Sequence, residues 1–309
     1  MKKYILSRLV QLIPILFGIT FLTFGMMQFA ADDAVDVIYE QGGASEEVKA
    51  AKRAELGLDK PFLVQYLNWL KGMAVGDMGR SFISGKLVFE TFAEKLPATF
   101  ELMTVSILLT IFIATPLGIL AAVNQNKFLD YVIRIFSFIG NSMPNFFVGL
   151  LLIYFLALKL NLLPIIGQNI VMPALTLTIA MGAKYTRQIR AVVLEELEKP
   201  YVLGAKSRGI KNFTILTKSV LRSTLIMIIT LLALSMGSLL GGTAIVETIF
   251  MWDGVGKMAV DAILMRDYPI IQAYVAWMAI IYVLINLAAD LLYYRLDPRV
   301  RYGEGSGKF

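Results

Sequence analysis

Cysteine and histidine are both missing from this chain of 309 residues. Without cysteine it can form no disulfide and offers no thiolate nucleophile. Without histidine there is no imidazole for a zinc site or for a serine–histidine catalytic pair. Charge is scarce as well, at 17% of residues against 57% apolar, with a mean hydropathy of +0.69. A phosphate-binding loop is also lacking. The tail Gly303-Glu304-Gly305-Ser306-Gly307-Lys308-Phe309 has Tyr302 where the first glycine of that motif belongs, and Phe309 in place of Ser or Thr. The reading therefore assigns the chain no catalytic residue, no metal ligand, no cofactor and no enzyme activity of its own.

Long apolar runs are what the chain does have. Residues 9–31, 102–126, 135–158, 160–183, 223–246 and 268–289 carry no charge at all, and each run is 22 to 25 residues long. About 20 helical residues cross the hydrocarbon core of a bilayer. The expected fold is an all-α integral membrane protein with six transmembrane helices. In the fourth run, Pro164, Gly167 and Pro173 confine the helix to the second half. Lys2, Lys3 and Arg8 before the first run give it the look of a signal peptide, but it is too long for one and no small-x-small cleavage site follows. It reads as a retained first helix.

Charge sets the orientation. Net charge alternates between segments: +3 over 1–8, −3 over 32–95, +1 over 127–134, +6 over 184–222, −2 over 247–267 and +1 from 290 onward. Basic segments stay on the cytoplasmic side, so both termini are expected there in a multi-pass protein. The overall +6 is then a topology signal and not nucleic-acid affinity. The organisation reads as a cytoplasmic amino end 1–8, a first transmembrane helix 9–31, an external helical segment 32–97, and a five-helix core 98–309 containing the cytoplasmic loop 184–222. In the external segment Ser45 caps one helix, Gly57 breaks it, and Pro61 opens a second with Phe62, Tyr66, Trp69 and Leu70 in a stripe.

Within the runs, polar and small residues stand out. Asn141, Ser142 and Asn145 flank Pro144, where a kink frees backbone carbonyls, and Gly237 and Gly241 form a small-xxx-small pair around Ser238. Asn141, Ser142, Asn145, Ser238 and Gly241 are the candidates for a polar translocation path. Glu101, Glu247 and Asp290 sit at run margins, where snorkelling to the interface is expected.

The loop 184–222 has a helix-turn-helix pattern broken at Gly209, the form of a surface built to be gripped by a cytoplasmic partner. It resembles the coupling loop of the membrane subunits of bacterial ABC importers, whose signature is E-A-A-x-x-x-G. Ala205 and Gly209 match, while Leu203 stands at the glutamate position. Leu221-Arg222-Ser223-Thr224-Leu225-Ile226 resembles the stretch that follows, with Met227 where proline is usual. Further stretches are similar to the dipeptide/oligopeptide/nickel branch: 56–61 (LGLDKP), 76–81 (GDMGRS), 96–99 (LPAT), 142–147 (SMPNFF), 247–256 (ETIFMWDGVG), 266–269 (RDYP) and 297–301 (DPRVR). Asp253 replaces the usual proline.

The resemblance implies the type I ABC importer permease fold in the bacterial cytoplasmic membrane. It also implies a second homologous permease, two cytoplasmic ATPases that bind ATP and Mg, and an extracytoplasmic substrate-binding protein. Glu198, Tyr201, Ala205, Lys206, Arg208 and Gly209 would couple to an ATPase, with Gly209 making the turn after the coupling helix and Ala205 allowing a close fit. For cargo, the short link Leu163–Asn169 and the stretches 241–247 and 259–263 look more like nickel permeases, so nickel or a metal chelate is the first reading and di- or oligopeptides the alternative. An ATP-independent secondary transporter is the distant alternative, since no Asp or Glu lies centrally in any run.

Overall fold

The fold is described from a computed structural model covering residues 2–28, 34–39, 43–164 and 169–296. In chain order the helices are α1 (Lys2–Gln28), α2 (Ala34–Tyr39), α3 (Glu46–Leu56), α4 (Phe62–Ala74), α5 (Val88–Val123), α6 (Phe128–Ser142) and α7 (Asn145–Leu152). There follow α8 (Val171–Leu197), α9 (Pro200–Ser207), α10 (Asn212–Ile215), α11 (Leu221–Ile249), α12 (Val255–Leu264) and α13 (Tyr268–Leu296). π-helical turns at Ile153–Lys159 and Leu216–Val220 extend α7 and join α10 to α11. The chain divides into two compact units, Met1–Phe100 with Asp253–Leu284, and Glu101–Trp252 with Ile285–Phe309.

Among the described residues, four helices are long and apolar enough to cross a membrane: Ile5–Met27, Val88–Val123, Asn212–Thr230 and Tyr268–Leu292. A fifth span exists if α6 and the extended α7 count as one, although they meet at 106°. Of the six expected spans, the fourth is the one not among these helices. The run 160–183 is helical only from Val171, as its prolines suggest, and the thirteen residues 171–183 rise about 20 Å. A hydrocarbon core is about 30 Å thick. α8 continues instead through Lys184, Arg187 and Arg190. The expected kink in the third run is likewise a full break. Met143 is extended (ψ 132°) and Pro144 precedes the new helix with ψ 143°, so the chain turns a corner there.

In the first unit, sequence signals become local structure directly. The Ser45 hydroxyl accepts from the Val48 amide at 3.4 Å, and Gly57 ends α3 with φ +72°. Asp36 of α2 holds Arg53 of α3 through bonds of 2.9 Å to each oxygen. The aromatic stripe of α4 packs on α1: Tyr66 is 2% exposed, with its ring centroid 5.3 Å from those of Phe21 and Phe24. Its hydroxyl lies 3.1 Å from that of Thr20. Lys95 pairs with Asp253.

α8 is the centre of the second unit, and α6, α7 and α11 all pack on it. Close approach is built in with glycine. A Cβ on Gly118 would meet the Ile189 side chain at 2.8 Å, and one on Gly140 would meet the Ala183 methyl at 3.0 Å. Asp130 of α6, fully buried, receives Arg190 of α8 at 2.7 and 2.8 Å. Glu247 also proves fully buried in the packed end of α11, so it does not snorkel as expected. Glu101 is exposed.

Candidate coupling surface and translocation path

α9 is a short helix with a strong start and stop. Pro200 fixes its first turn, where a missing N–H costs nothing, and Gly209 ends it at φ +74°. There the Gly209 amide donates to the Lys206 carbonyl at 2.9 Å and the Ile210 amide to the Ala205 carbonyl at 3.2 Å. Val202 and Ala205, three apart, are buried in one cluster with Val193, Ile215 and Val220. The opposite face is open: Tyr201, Leu203 (58% exposed), Gly204, Lys206, Ser207 and Arg208.

This arrangement sorts the candidates read from sequence. Tyr201, Lys206, Arg208 and Gly209 share the open surface, and Arg208 Nε folds back to the Gly204 carbonyl at 3.2 Å. Ala205 is buried, and its small size lets α9 seat closely on the rest of its unit. Glu198 is exposed and lines a cavity of about 480 Å³ with Lys206, Leu194, Leu216 and the protruding Phe213.

Sequence reasoning missed Glu196. It is 8% exposed, pairs with Lys199, and accepts from the Tyr201 hydroxyl at 2.9 Å. Burial opposes its charge, but the Lys199 and Tyr201 hydrogen bonds outweigh burial and hold its carboxyl below the ordinary value. The signal was present in the spacing. Glu196 lies three and seven residues after the core positions Val193 and Ile189, on the inner face of α8.

The second group of candidates lies at the α6–α7 break. Asn141 and Asn145 line a cavity of about 240 Å³ together with Gly140, Met181, Lys184 and Gly242. Ser142 is exposed, and its hydroxyl donates back to the Phe138 carbonyl at 2.9 Å. Gly241 faces open space, and its neighbour Gly242 is the one that approaches Asn145, with a Cβ position 3.8 Å from Nδ2. The side chain of Ser238 lies outside the described residues, as do 165–168 of the short link and the tail from 297. Lys184 was not singled out from sequence, although its place seven residues after Leu177 puts both on one face of α8.

The likenesses to known proteins are consistent across the chain. Residues 114–302 match the family described as binding-protein-dependent transport system inner membrane component, and residues 1–103 match the N-terminal family of the same membrane components. The oligopeptide transport system permease protein AppB of Bacillus subtilis is 37% identical over 98% of this chain and 100% of its own length. The dipeptide transport system permease protein DppB of Escherichia coli is 32% identical, and the metal-staphylopine import system permease protein CntB of Staphylococcus aureus 31%, each covering 98% of this chain and 99% of the relative. Among solved structures, an inward-facing conformation of the MetNI methionine ABC transporter aligns with a TM-score of 0.60 over 68% of this chain and 97% of that one. At 17% identity that likeness speaks for the fold alone. This chain belongs to the binding-protein-dependent transport inner membrane component family, and it is an integral membrane permease subunit of an ABC importer.

Proposed function

We propose that this chain moves short peptides across the bacterial cytoplasmic membrane, with both termini in the cytoplasm. It would work beside a second homologous permease, with two cytoplasmic ATPases below that bind ATP and Mg and a substrate-binding protein outside. The observation that carries the cargo is the full-length likeness to the oligopeptide permease AppB, with the dipeptide permease DppB alongside. The nickel reading drawn from the short link has less support than this peptide alternative. A metal chelate stays as a second reading because CntB matches over the same length.

The drive enters through α9. Its buried residues Val202 and Ala205 fasten it to the body of the second unit, and its open face offers Tyr201, Leu203, Lys206 and Arg208 to an ATPase. The Glu196–Lys199 pair and the Tyr201–Glu196 bond tie α9 to the end of α8. From Glu196, α8 runs back twelve residues, about 18 Å, to Lys184 on the wall of the cavity at Asn141 and Asn145. A rigid push on α9 therefore reaches the wall of the cavity through one helix, the kind of shear that switches packed bundles between two states.

The test is uptake of a labelled tripeptide and of radioactive nickel by cells with and without the gene. Loss of peptide uptake, with nickel unchanged, is the expected result. Loss of nickel uptake that excess peptide does not compete away would replace the peptide reading with the metal one.

A further inference from the structure

Two cavities follow one another along the groove between α6 and α8. The first, about 240 Å³, has Lys184 on its wall with Asn141 and Asn145. The second, about 410 Å³, is lined by Tyr131, Arg134, Ile135, Phe138, Arg187 and Arg190. Lys184, Arg187 and Arg190 recur every three residues, so each lies about 4.5 Å further along α8 on neighbouring parts of one face.

These cations are not neutralised equally. Arg190 is spent on the buried carboxylate of Asp130, which also accepts from the Asn126 amide at 2.9 Å. Among the described residues Lys184, Arg187 and Arg134 make no ion pair, and all three are exposed. Lys184 Nζ stands 5.7 Å from the Tyr185 ring centroid, and the Arg134 guanidinium 5.5 Å from that of Tyr131. An aromatic face steadies a cation without cancelling its charge. The groove thus carries two positive charges, Lys184 and Arg187, without an ion-pair partner among the described residues, and a third, Arg134, that shares the field of Asp130 with Arg190.

We infer that the groove between α6 and α8 is a positively charged passage that selects cargo by its carboxylate. This deepens the proposed function and rests on the reading that cargo passes Asn141 and Asn145. A peptide presents its C-terminal carboxylate to Lys184 and then to Arg187 and Arg134, each a charged donor that binds an anion more strongly than a neutral amide. A bare divalent cation meets like charge at every step and is repelled.

The test uses the whole importer reconstituted in vesicles, with its binding protein saturated by trialanine or by trialanine amide. Saturation removes the binding protein's own preference from the comparison. The wild type should transport the free acid about tenfold faster than the amide, the size expected for a hydrogen bond to a charged group. Lys184→Glu with Arg187→Glu should erase or invert that ratio, and Lys184→Arg with Arg187→Lys should keep it. Assembly of each variant is read by co-purification with the ATPases. Where the double reversal does not assemble, Lys184→Gln gives the same readout and should bring the ratio down toward one. A ratio that these substitutions leave unchanged overturns the passage. If the wild type moves a nickel chelate and neither peptide, the peptide reading fails by itself. The same variants are then compared on chelates with free and amidated carboxylates, where an unchanged ratio again overturns the passage and a lost one sustains it.

Discussion

Arg190 grips Asp130 with two nitrogens, Nε to Oδ1 at 2.7 Å and Nη2 to Oδ2 at 2.8 Å, and so bolts α8 to the first turn of α6. The carboxylate is completely buried, while the Arg190 side chain keeps 19% exposure. Removing one partner leaves the other charged and poorly solvated, which costs far more than the pair itself contributes. Asp130→Asn should destabilise the protein by about 3 kcal/mol, measured by denaturant titration of the detergent-solubilised protein. Exchanging the pair, Asp130→Arg with Arg190→Asp, should not restore it. The Asn126 amide also donates to Asp130 and would then face a guanidinium.

Gly209 holds φ +74°, a conformation that costs an ordinary L-residue about 1–2 kcal/mol. Gly209→Ala should lower transport by loosening the end of α9, and Gly209→Asn should be the mildest substitution, because asparagine tolerates this region. Gly209→Pro cannot adopt the angle at all and also loses the amide that donates to the Lys206 carbonyl. It should abolish uptake while the protein still inserts. The comparison is initial uptake rate against membrane abundance.

Tyr66 carries the docking of α4 on α1. Tyr66→Ala should cost about 3–5 kcal/mol by emptying a fully packed ring site. Tyr66→Phe loses only the hydroxyl that meets Thr20 and should cost about 1 kcal/mol. Equal losses in the two variants, by the same titration, would show that the hydroxyl and not the ring anchors α4 to α1.

Asp267, 3% exposed, accepts from the Ser81 hydroxyl and from the Phe82 amide at 2.9 Å. Burial pushes its carboxyl above the ordinary 3.8 despite those bonds. The folded protein therefore holds the proton more tightly than the unfolded chain. Stability rises as pH falls from the raised folded value to 3.8, and the charged form carries a penalty above that window. Asp267→Asn should flatten this slope in unfolding midpoints measured from pH 7 down to about pH 4.

What the sequence made legible was local. Ser45, Gly57 and Pro61 set helix ends within a few residues of themselves, and the structure places those ends as read. Charge-free runs overlap the four apolar helices and the bent α6–α7 pair for the same reason, since hydrophobicity needs no partner to be counted. Properties that depend on packing were harder to see. Nothing in the neighbourhood of Glu247 or Ala205 states that both are buried, because burial comes from residues far along the chain. The α6–α7 break shows as a proline in sequence, but the 106° turn arises from how the two halves pack on α8 and α11. In the candidate path, Asn141 and Asn145 were found by polarity within apolar runs, and Lys184 was missed because it was counted as the edge of a loop.

α9 is the proposed place where a cytoplasmic ATPase grips the chain. Because the chain has no native cysteine, a single introduced thiol is a unique probe. The decisive measurement is photo-crosslinking of the assembled importer from a benzophenone maleimide placed at Leu203→Cys, 58% exposed, with buried Val202→Cys as comparison. The account predicts that Leu203→Cys captures an ATPase subunit and that the captured complex stops transporting, while Val202→Cys captures none. An importer that transports normally after full labelling at Leu203, with no ATPase captured, would contradict it.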